Sequence, residues 1–170
     1  MRSPLAHRAR DLAALTRDGI TVVEVPFLAQ VDVRVGATEL ALPREANTTL
    51  GSGERSTLWL GPDEWLVTGS SGTAPSIIQD LTRALAGAHA SLIDVSANRA
   101  VIDLIGPGAR DLLAKGCTLD LHPSRWRAGM CAQTTLGRTQ VVLEQRADRT
   151  RVFVRPSFAD YLVDWLAAAS

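Results

Sequence analysis

Lysine is nearly absent from this sequence, which limits the chemistry that the chain can perform. Of the 18 basic residues only Lys115 is a lysine, and the other 17 are arginines. Lysine-based covalent catalysis would depend on that one residue, which lies near a predicted helix end. Codon composition can explain the excess of arginine. Alternatively, a forked guanidinium group suits protein partners or anionic ligands better than an ammonium group does.

Further scarcities exclude other classes of protein. Two cysteines are too few for a disulfide scaffold or a four-cysteine zinc site. No apolar run approaches the roughly 18–20 residues that span a bilayer. Because 18 basic residues balance 18 acidic ones, neither nucleic acid nor an acidic membrane is an expected partner. The basic amino terminus lacks the apolar core of a signal peptide, which predicts a cytoplasmic protein.

The apolar residues that are present are sufficient for one core. They make up 46% of the 170 residues, which predicts a single domain over residues 1–170. The predicted elements are a helix at 6–16, strands at 20–25 and 31–35, an irregular loop at 42–56, a hairpin of strands at 57–60 and 64–68, a helix from Thr73 to Gly87, strands at 92–95 and 99–105, a helix after Gly108, strands at 130–136, 139–145 and 149–155, and a helix from Ser157 onward.

Strands outnumber helices and follow one another directly, so a purely parallel, doubly wound sheet is not expected. The predicted fold class is α+β, with mixed or antiparallel sheets and helices packed on them. Thr73 and Ser157 are predicted to cap their helices. Phe158 is predicted to belong to the apolar face of the last helix.

A glycine-rich turn offers one candidate site. Gly106-Pro107-Gly108 follows a predicted strand and precedes a helix, which is where dinucleotide folds bind a pyrophosphate. The fingerprint needs a further glycine three positions after Gly108, and Asp111 stands there. Pro107 also removes one N–H group from the turn. A structural strand-to-helix turn is therefore the favoured interpretation.

Cys117, Cys131 and His122 are candidates for a nucleophilic pair or for metal ligands. Their spacing matches no zinc pattern, and a cysteine in a strand usually behaves as a small buried hydrophobe. The sequence alone assigns no role to these three residues.

Residues 94–99 read Asp-Val-Ser-Ala-Asn-Arg and form a polar cluster between two predicted strands. Asp94, Asn98 and Arg99 could bind a polar ligand or a partner. Alternatively, the aspartate and the asparagine stabilise the turn through bonds from side chain to backbone.

The tryptophans divide into two groups. Trp59, Trp65 and Trp165 are predicted to lie in or near the core. Trp126 stands between two arginines and is therefore predicted to lie on the surface. Tryptophan and arginine are both enriched in interface hot spots, which predicts that this surface contacts a partner. The predicted partner-interface residues are Trp126, Arg125, Arg127, Asn98 and Arg99.

Several segments together resemble the gamma subunit of heterotetrameric sarcosine oxidase. They are residues 60–66 (LGPDEWL), 94–99 (DVSANR), 104–122 (LIGPGARDLLAKGCTLDLH), 131–134 (CAQT) and 155–162 (RPSFADYL). The resemblance spans about residues 58–166, and their order and spacing make it specific. The amino-terminal third matches more loosely, so residues 1–19 are expected to be a variable extension of a domain spanning 1–170.

The resemblance implies a fold similar to the folate-binding domain of the glycine-cleavage T-protein. It also implies a complex that oxidatively demethylates sarcosine to glycine, forming hydrogen peroxide and, with tetrahydrofolate, methylenetetrahydrofolate. In such a complex FAD, FMN and NAD belong to the two large subunits and zinc to a small fourth one. No cofactor, metal ligand or catalytic residue is carried over to this chain.

The sequence and the resemblance therefore leave two alternative hypotheses for the function. The first is a non-catalytic subunit that assembles or stabilises the oxidase by contact with the large alpha subunit and the other subunits. The alternative is a stand-alone folate-binding or one-carbon-transfer protein, which rests on the implied fold alone.

Overall fold

The computed structural model describes residues 2–17, 19–36, 40–52 and 54–170 of the chain. The chain forms two compact units: unit 1 consists of Met1–Pro26 with Asn98–Ser170, and unit 2 of Phe27–Ala97. The assignment of residues 1–170 to one gamma-subunit-like domain stays a prediction. In the part of the chain that the structure describes, no helix combines the length and the apolar character needed to cross a membrane.

Ten strands and four α-helices make up the described elements. In chain order they are α1 (Ala9–Ala14), β1 (Thr21–Glu24), β2 (Ala29–Val35), β3 (Thr49–Ser52), β4 (Arg55–Gly61), β5 (Glu64–Gly69), α2 (Ala74–Ala84), β6 (Ala90–Asp94), β7 (Ala100–Ile105), α3 (Ala109–Ala114), β8 (Met130–Leu136), β9 (Thr139–Gln145), β10 (Arg149–Val154) and α4 (Ala159–Ala169). Short 3-10 turns at Ala6–Arg8 and Pro156–Phe158 precede α1 and α4.

Unit 1 is built on an antiparallel sheet in the order β1-β7-β10-β9-β8. Successive side chains of a strand point to opposite faces, so β10 presents Val152 and Val154 to one face and Arg151 and Phe153 to the other. The face of Val152 and Val154 packs against apolar residues of α1, α3 and α4, and together they form one core. We call it the helix face of unit 1, and the other face the opposite face.

Unit 2 is built on a second antiparallel sheet, in the order β3-β4-β5-β2-β6. Val33 and Trp65 are paired across β2 and β5, and both are buried in a core that α2 completes with Ile77. The indole N–H of Trp65 donates to the carbonyl oxygen of Pro43 at 2.8 Å, so this buried polar group is satisfied.

The structure confirms the α+β class, the antiparallel sheets and the core or near-core positions of Trp59, Trp65 and Trp165. The predicted loop at 42–56 is wrong in part, because β3 and the start of β4 lie within it. A four-residue strand that contains Gly51 gives too weak an alternation to be recognised.

One of the two predicted helix caps is correct in position only. Thr73 is the N-cap residue of α2, but its hydroxyl donates to the carbonyl of Ser70 and not to the helix. The predicted cap at Ser157 is wrong, because Phe158 is the N-cap residue of α4 and Ser157 lies in the 3-10 turn before it. Phe158 ends the 3-10 turn before α4 and is 46% exposed, so its expected place on the apolar helix face is also wrong.

Candidate functional site

The loop that carries Arg125 and Arg127 is attached to the core by the residue between them. Trp126 is only 4% exposed and belongs to the core of unit 1, so its predicted surface position is wrong. Charged neighbours do not indicate the direction of a side chain in a loop that has no periodicity. Burial of an indole removes 150–250 Å² of surface from water, which outweighs the preference of its neighbours for solvent.

Hydrogen bonds fix the same loop from both sides. The Arg110 guanidinium of α3 donates to the carbonyl oxygens of Leu121 and Trp126, the latter at 2.9 Å. The backbone N–H groups of Arg125 and Trp126 both donate to the carbonyl of His122 at 2.8 Å. The two exposed arginines of the loop are thus presented from a tightly anchored turn.

The polar cluster at residues 94–99 divides between the two units. The carboxylate of Asp94 accepts hydrogen bonds from the backbone N–H and the hydroxyl of Ser96, and the Ser96 hydroxyl accepts one from the N–H of Gln30 at 3.0 Å. This is the turn-stabilising role that sequence analysis offered as an alternative for Asp94. Asn98 is exposed and Arg99 is half-buried, and both belong to unit 1.

The glycine-rich turn serves the close approach of two backbone segments. Gly106 has a φ of 108°, and a Cβ at this position would collide with the carbonyl oxygen of Gly19. The helix that follows, α3, has only six residues. The turn therefore has a structural role, because its first glycine lets the backbone pass close to Gly19, just before β1.

The two cysteines lie far apart in the sheet of unit 1. Cys117 is bridged to Leu136 at one end of β8, whereas Cys131 lies five positions earlier in that strand. At about 3.3 Å per residue this separates them by roughly 16 Å, too far for a disulfide. Cys131 is fully buried, as expected for a small hydrophobe, while His122 is exposed and its Nδ1 lies 2.8 Å from the Ser124 hydroxyl.

Sequence analysis missed a buried charged pair on the opposite face of unit 1. Asp103 of β7 and Arg151 of β10 are register partners and are 1% and 0% exposed. Arg151 donates from Nε and Nη2 to the two carboxylate oxygens of Asp103, at 2.8 and 2.9 Å. Both residues stand between apolar or β-branched neighbours in strands with two buried faces, a signal that could have marked them as paired.

More charges extend this pair along the sheet. Arg149 Nη1 donates to Asp103 at 3.1 Å, and Glu144 of β9 is the register partner of Arg151 on its other side. Arg146 Nε lies 3.1 Å from a carboxylate oxygen of Glu144. With Asp148, which pairs with Arg149, the cluster holds three carboxylates and three guanidinium groups: Asp103, Glu144, Asp148, Arg146, Arg149 and Arg151.

These contacts determine what the cluster can do chemically. A hydrogen bond from Arg149 lowers the pKa of Asp148, and hydrogen bonds to Asp148 and Asp103 raise the pKa of Arg149. Asp103 is enclosed and shared by two arginines. A general base must reach the proton that it abstracts, so Asp103 has a structural role: it neutralises Arg151 inside the unit.

Arg99 lines a pocket in unit 1 of about 330 Å³, which we call the arginine pocket. We define it by six of its lining residues, which are Arg99, Thr135, Gln140, Val142, Phe153 and Arg155. Among the described residues that line it, none carries a carboxylate. It lies at the end of the sheet where β7 begins and β10 ends.

Across the residues that the structure describes, no group of three or more histidine, cysteine, aspartate or glutamate side chains could hold a metal ion. The surface loop with Arg125 and Arg127 and the arginine pocket remain as candidate functional features.

Comparison with known proteins gives consistent results along nearly the whole chain. The model of the sarcosine oxidase gamma subunit family matches residues 23–170. Sarcosine oxidase subunit gamma from Arthrobacter sp is 35% identical over 182 residues, covering 99% of this chain and 89% of that protein. The corresponding protein from Corynebacterium sp. (strain P-1) is 34% identical over 182 residues, with the same coverage.

Solved structures give the same result. A chain of heterotetrameric sarcosine oxidase from Corynebacterium sp. U-96, in complex with pyrrole 2-carboxylate, superposes with a TM-score of 0.91 at 32% identity; the match covers 99% of this chain and 94% of that one. The glycine cleavage system aminomethyltransferase T from Bartonella henselae matches with a TM-score of 0.64 at 13% identity, over 93% of this chain and 48% of that chain. The second likeness shows the fold alone and confirms the expected T-protein-like fold. The chain belongs to the sarcosine oxidase gamma subunit family.

Proposed function

We propose that this chain is the gamma subunit of a heterotetrameric sarcosine oxidase and acts without an active site of its own, by assembling and stabilising the complex. The observation that carries the proposal is the TM-score of 0.91 with a chain of such an oxidase, over 99% of the present chain. Its partners are the large alpha subunit and the other subunits.

The complex demethylates sarcosine to glycine and transfers the electrons to oxygen, which becomes hydrogen peroxide, while tetrahydrofolate takes the methyl carbon as methylenetetrahydrofolate. FAD, FMN, NAD and zinc are held by the other subunits, and the complex is cytoplasmic. Cys117 and Cys131 are not joined in a disulfide, which suits that reducing compartment.

The hydrogen bonds of two acids, Asp103 and Asp94, support a non-catalytic role. Asp103, an acid in the middle of the sheet, is held by Arg151 at 2.8 Å and by Arg149 at 3.1 Å. A carboxylate that is enclosed and shared in this way cannot reach a substrate. Asp94, in unit 2, is occupied by the turn at Ser96.

Exposed residues on fixed backbone supply the contact surface. Arg125 and Arg127 project from the anchored loop around Trp126, and we assign partner contacts to them together with Asn98 and Arg99. Ile93 of β6 is 53% exposed on an edge strand of unit 2, where unpaired backbone groups favour further association.

Co-expression with the large subunits tests this proposal. An affinity tag on the alpha subunit is expected to recover the chain in equal molar amount, and leaving the chain out is expected to reduce the yield of active complex. The double variant Arg125→Glu and Arg127→Glu should weaken recovery at least tenfold. The matched control is Arg10→Glu, at an exposed arginine of α1, which should be recovered like the unaltered chain.

Two outcomes would overturn the proposal. The first is a chain that purifies alone and is not recovered with any oxidase subunit. The second is saturable binding of tetrahydrofolate to the isolated chain in calorimetry, which would favour the stand-alone folate-binding alternative.

A further inference from the structure

The turn that joins β1 to β2 carries an aromatic residue in an unusual backbone conformation. Pro26 and Phe27 form the turn, and Phe27, the first residue of unit 2, has a φ of 56°. In the part of the chain that the structure describes, Asn47 is the one other non-glycine residue with a positive φ. Asparagine tolerates this left-handed region, whereas a bulky side chain there is strained. The sequence therefore keeps a phenylalanine at a position that suits glycine or asparagine.

The ring of Phe27 belongs to neither of the two cores. It is 39% exposed, whereas the next two residues, Leu28 and Ala29, are 3% and 1% exposed. Single exposed apolar residues are common on protein surfaces, so exposure alone would assign no role to this ring. Strain changes the interpretation, because the fold then keeps an unfavourable backbone conformation without burying the side chain that causes it. Strained positions of this kind are concentrated where proteins bind or switch.

Hydrogen bonds hold the chain on both sides of the turn. Before it, within unit 1, the backbone N–H of Val25 donates to the carbonyl oxygen of Val101 at 2.8 Å. After it, within unit 2, the backbone N–H of Gln30 donates to the hydroxyl of Ser96 at 3.0 Å. A ring that is presented from fixed backbone loses little conformational entropy when a partner binds it. Phe27 is therefore organised for binding before any partner is present.

The chemistry around Phe27 indicates the kind of surface that it fits. Residues 25–30 read Val-Pro-Phe-Leu-Ala-Gln and include no charged side chain. Pro26 is exposed beside the ring, while Leu28 is buried. A charged group on the partner that lay against this proline and this ring would lose its water without gaining a hydrogen bond. The complementary surface is therefore apolar.

We propose that Phe27 anchors this chain to the large alpha subunit, and that its ring enters an apolar pocket on that subunit. This inference rests on the proposed function, in which the alpha subunit is the partner. It adds an apolar contact in unit 2 to the charged contacts of Arg125 and Arg127 in unit 1. Burial of the ring in the complex offsets the strain of the turn, and buried aromatic anchors of this kind dominate the energetics of many interfaces.

Two substitutions separate the ring from the strain. Phe27→Ala removes the ring and keeps a Cβ in the left-handed region, whereas Phe27→Gly removes both. Each should lower recovery with a tagged alpha subunit at least tenfold, because the anchor is absent from both. In thermal unfolding of the isolated chain, Phe27→Gly should have the higher midpoint of the two by about 2–4 °C, because glycine adopts this φ without strain. A cooperative transition in both variants shows that the loss of recovery is not a loss of folding.

A conservative variant and a matched control complete the experiment. Phe27→Leu keeps an apolar side chain and should retain most of the recovery. Phe158→Ala is the matched control: Phe158 is 46% exposed, more than Phe27, but its φ is −112°, outside the strained region. This control should be recovered like the unaltered chain.

Three results would overturn the proposal. They are normal recovery of both Phe27→Ala and Phe27→Gly, an equal loss of recovery in Phe158→Ala, or a midpoint for Phe27→Gly that is no higher than that of Phe27→Ala. If the Phe27 variants are recovered normally while the double variant Arg125→Glu and Arg127→Glu is lost, this inference fails and the proposed function stands. If the unaltered chain is not recovered with the alpha subunit, both fail.

Discussion

Each unit has a five-stranded antiparallel sheet, but a buried pair of register partners is charged in unit 1 and apolar in unit 2. In unit 1, Asp103 and Arg151 are register partners on the face away from the helices, and both are buried. In unit 2, Leu58 and Leu66 are register partners on the face away from the core around α2, and both are fully buried. An apolar pair is stabilised by area removed from water, whereas a buried charged residue depends on its particular partner. Unit 1 is therefore more sensitive to the identity of single residues.

The largest expected effect is the loss of one member of the charged pair. Arg151→Met leaves Asp103 buried with Arg149 as its remaining cation, and should lower the free energy of unfolding by about 3–5 kcal/mol. Urea denaturation followed by circular dichroism measures this loss. The double variant Asp103→Leu and Arg151→Met should recover part of it, because the two opposed charges are then both gone while Glu144 keeps Arg146 and Arg149 keeps Asp148. A single variant that loses less than about 1 kcal/mol would contradict a structural role for the pair.

For the leucine pair, Leu58 and Leu66, a second substitution is not expected to recover the stability lost through the first. Leu66→Ala removes buried methyl groups and leaves a cavity, which should cost about 2–5 kcal/mol in the same urea experiment. A second substitution, Leu58→Ala, should add to the loss. If the double variant were more stable than Leu66→Ala, the distinction between the two units would not hold.

Turn glycines give a smaller effect that again differs between the units. Gly106→Ala places a Cβ against the carbonyl oxygen of Gly19 at a φ of 108°, and should cost about 2–4 kcal/mol. Gly72, in unit 2, has a φ of 79° but open space around its Cα, so Gly72→Ala should cost only about 1 kcal/mol. Thermal unfolding of the two variants checks the order. An equal loss of stability in the two variants would mean that the close contact of residue 106 with Gly19 does not add to the cost of Gly106→Ala.

The smallest expected effect concerns acid stability. Because the pKa of Asp148 is lowered in the folded chain, its ion pair with Arg149 stabilises the fold above the unfolded pKa of about 3.9. This contribution is lost as the pH falls through the lowered folded pKa. Asp148 is largely exposed, so the contribution is below about 1 kcal/mol.

Asp148→Asn should accordingly be slightly less stable than the unaltered chain at pH 7, with the difference vanishing near pH 2. Unfolding by urea at both pH values measures it. Asp80→Asn, which removes the acid of an exposed pair with Arg83 in α2, is the matched control. A difference between Asp148→Asn and the unaltered chain that grew toward low pH would contradict the lowered pKa.

Local sequence patterns were sufficient to predict most elements. The alternation at Val31, Val33 and Val35 marks β2, and the turn at Gly61-Pro62-Asp63 marks the hairpin of β4 and β5. Such signals depend on neighbours within a few residues, and they lead to the observed strand and helix positions. The short strand β3 gave no such signal.

Features that depend on distant residues could not be predicted. Asp103 and Arg151 are 48 positions apart, and nothing in either neighbourhood says which residue lies across the sheet. The direction of Trp126 depends on Arg110 and on the core beneath the loop. The arginine pocket depends on register, since Arg99 and Arg155 meet only when β7 and β10 are aligned. Segment resemblance gave the family, but not these contacts.

Unit 1 is discontinuous in the chain, and this has a consequence for the order of synthesis. β1 leaves the ribosome first, yet its partner β7 follows only after all of Phe27–Ala97. β10, which joins β7 to β9 in the middle of the sheet, begins at Arg149. A nascent chain that ends at residue 148 therefore contains every strand of the unit 2 sheet but a divided unit 1 sheet. Strand β10 and helix α4 follow only after Arg149, so the unit 1 sheet is completed after every strand of the unit 2 sheet has been synthesised.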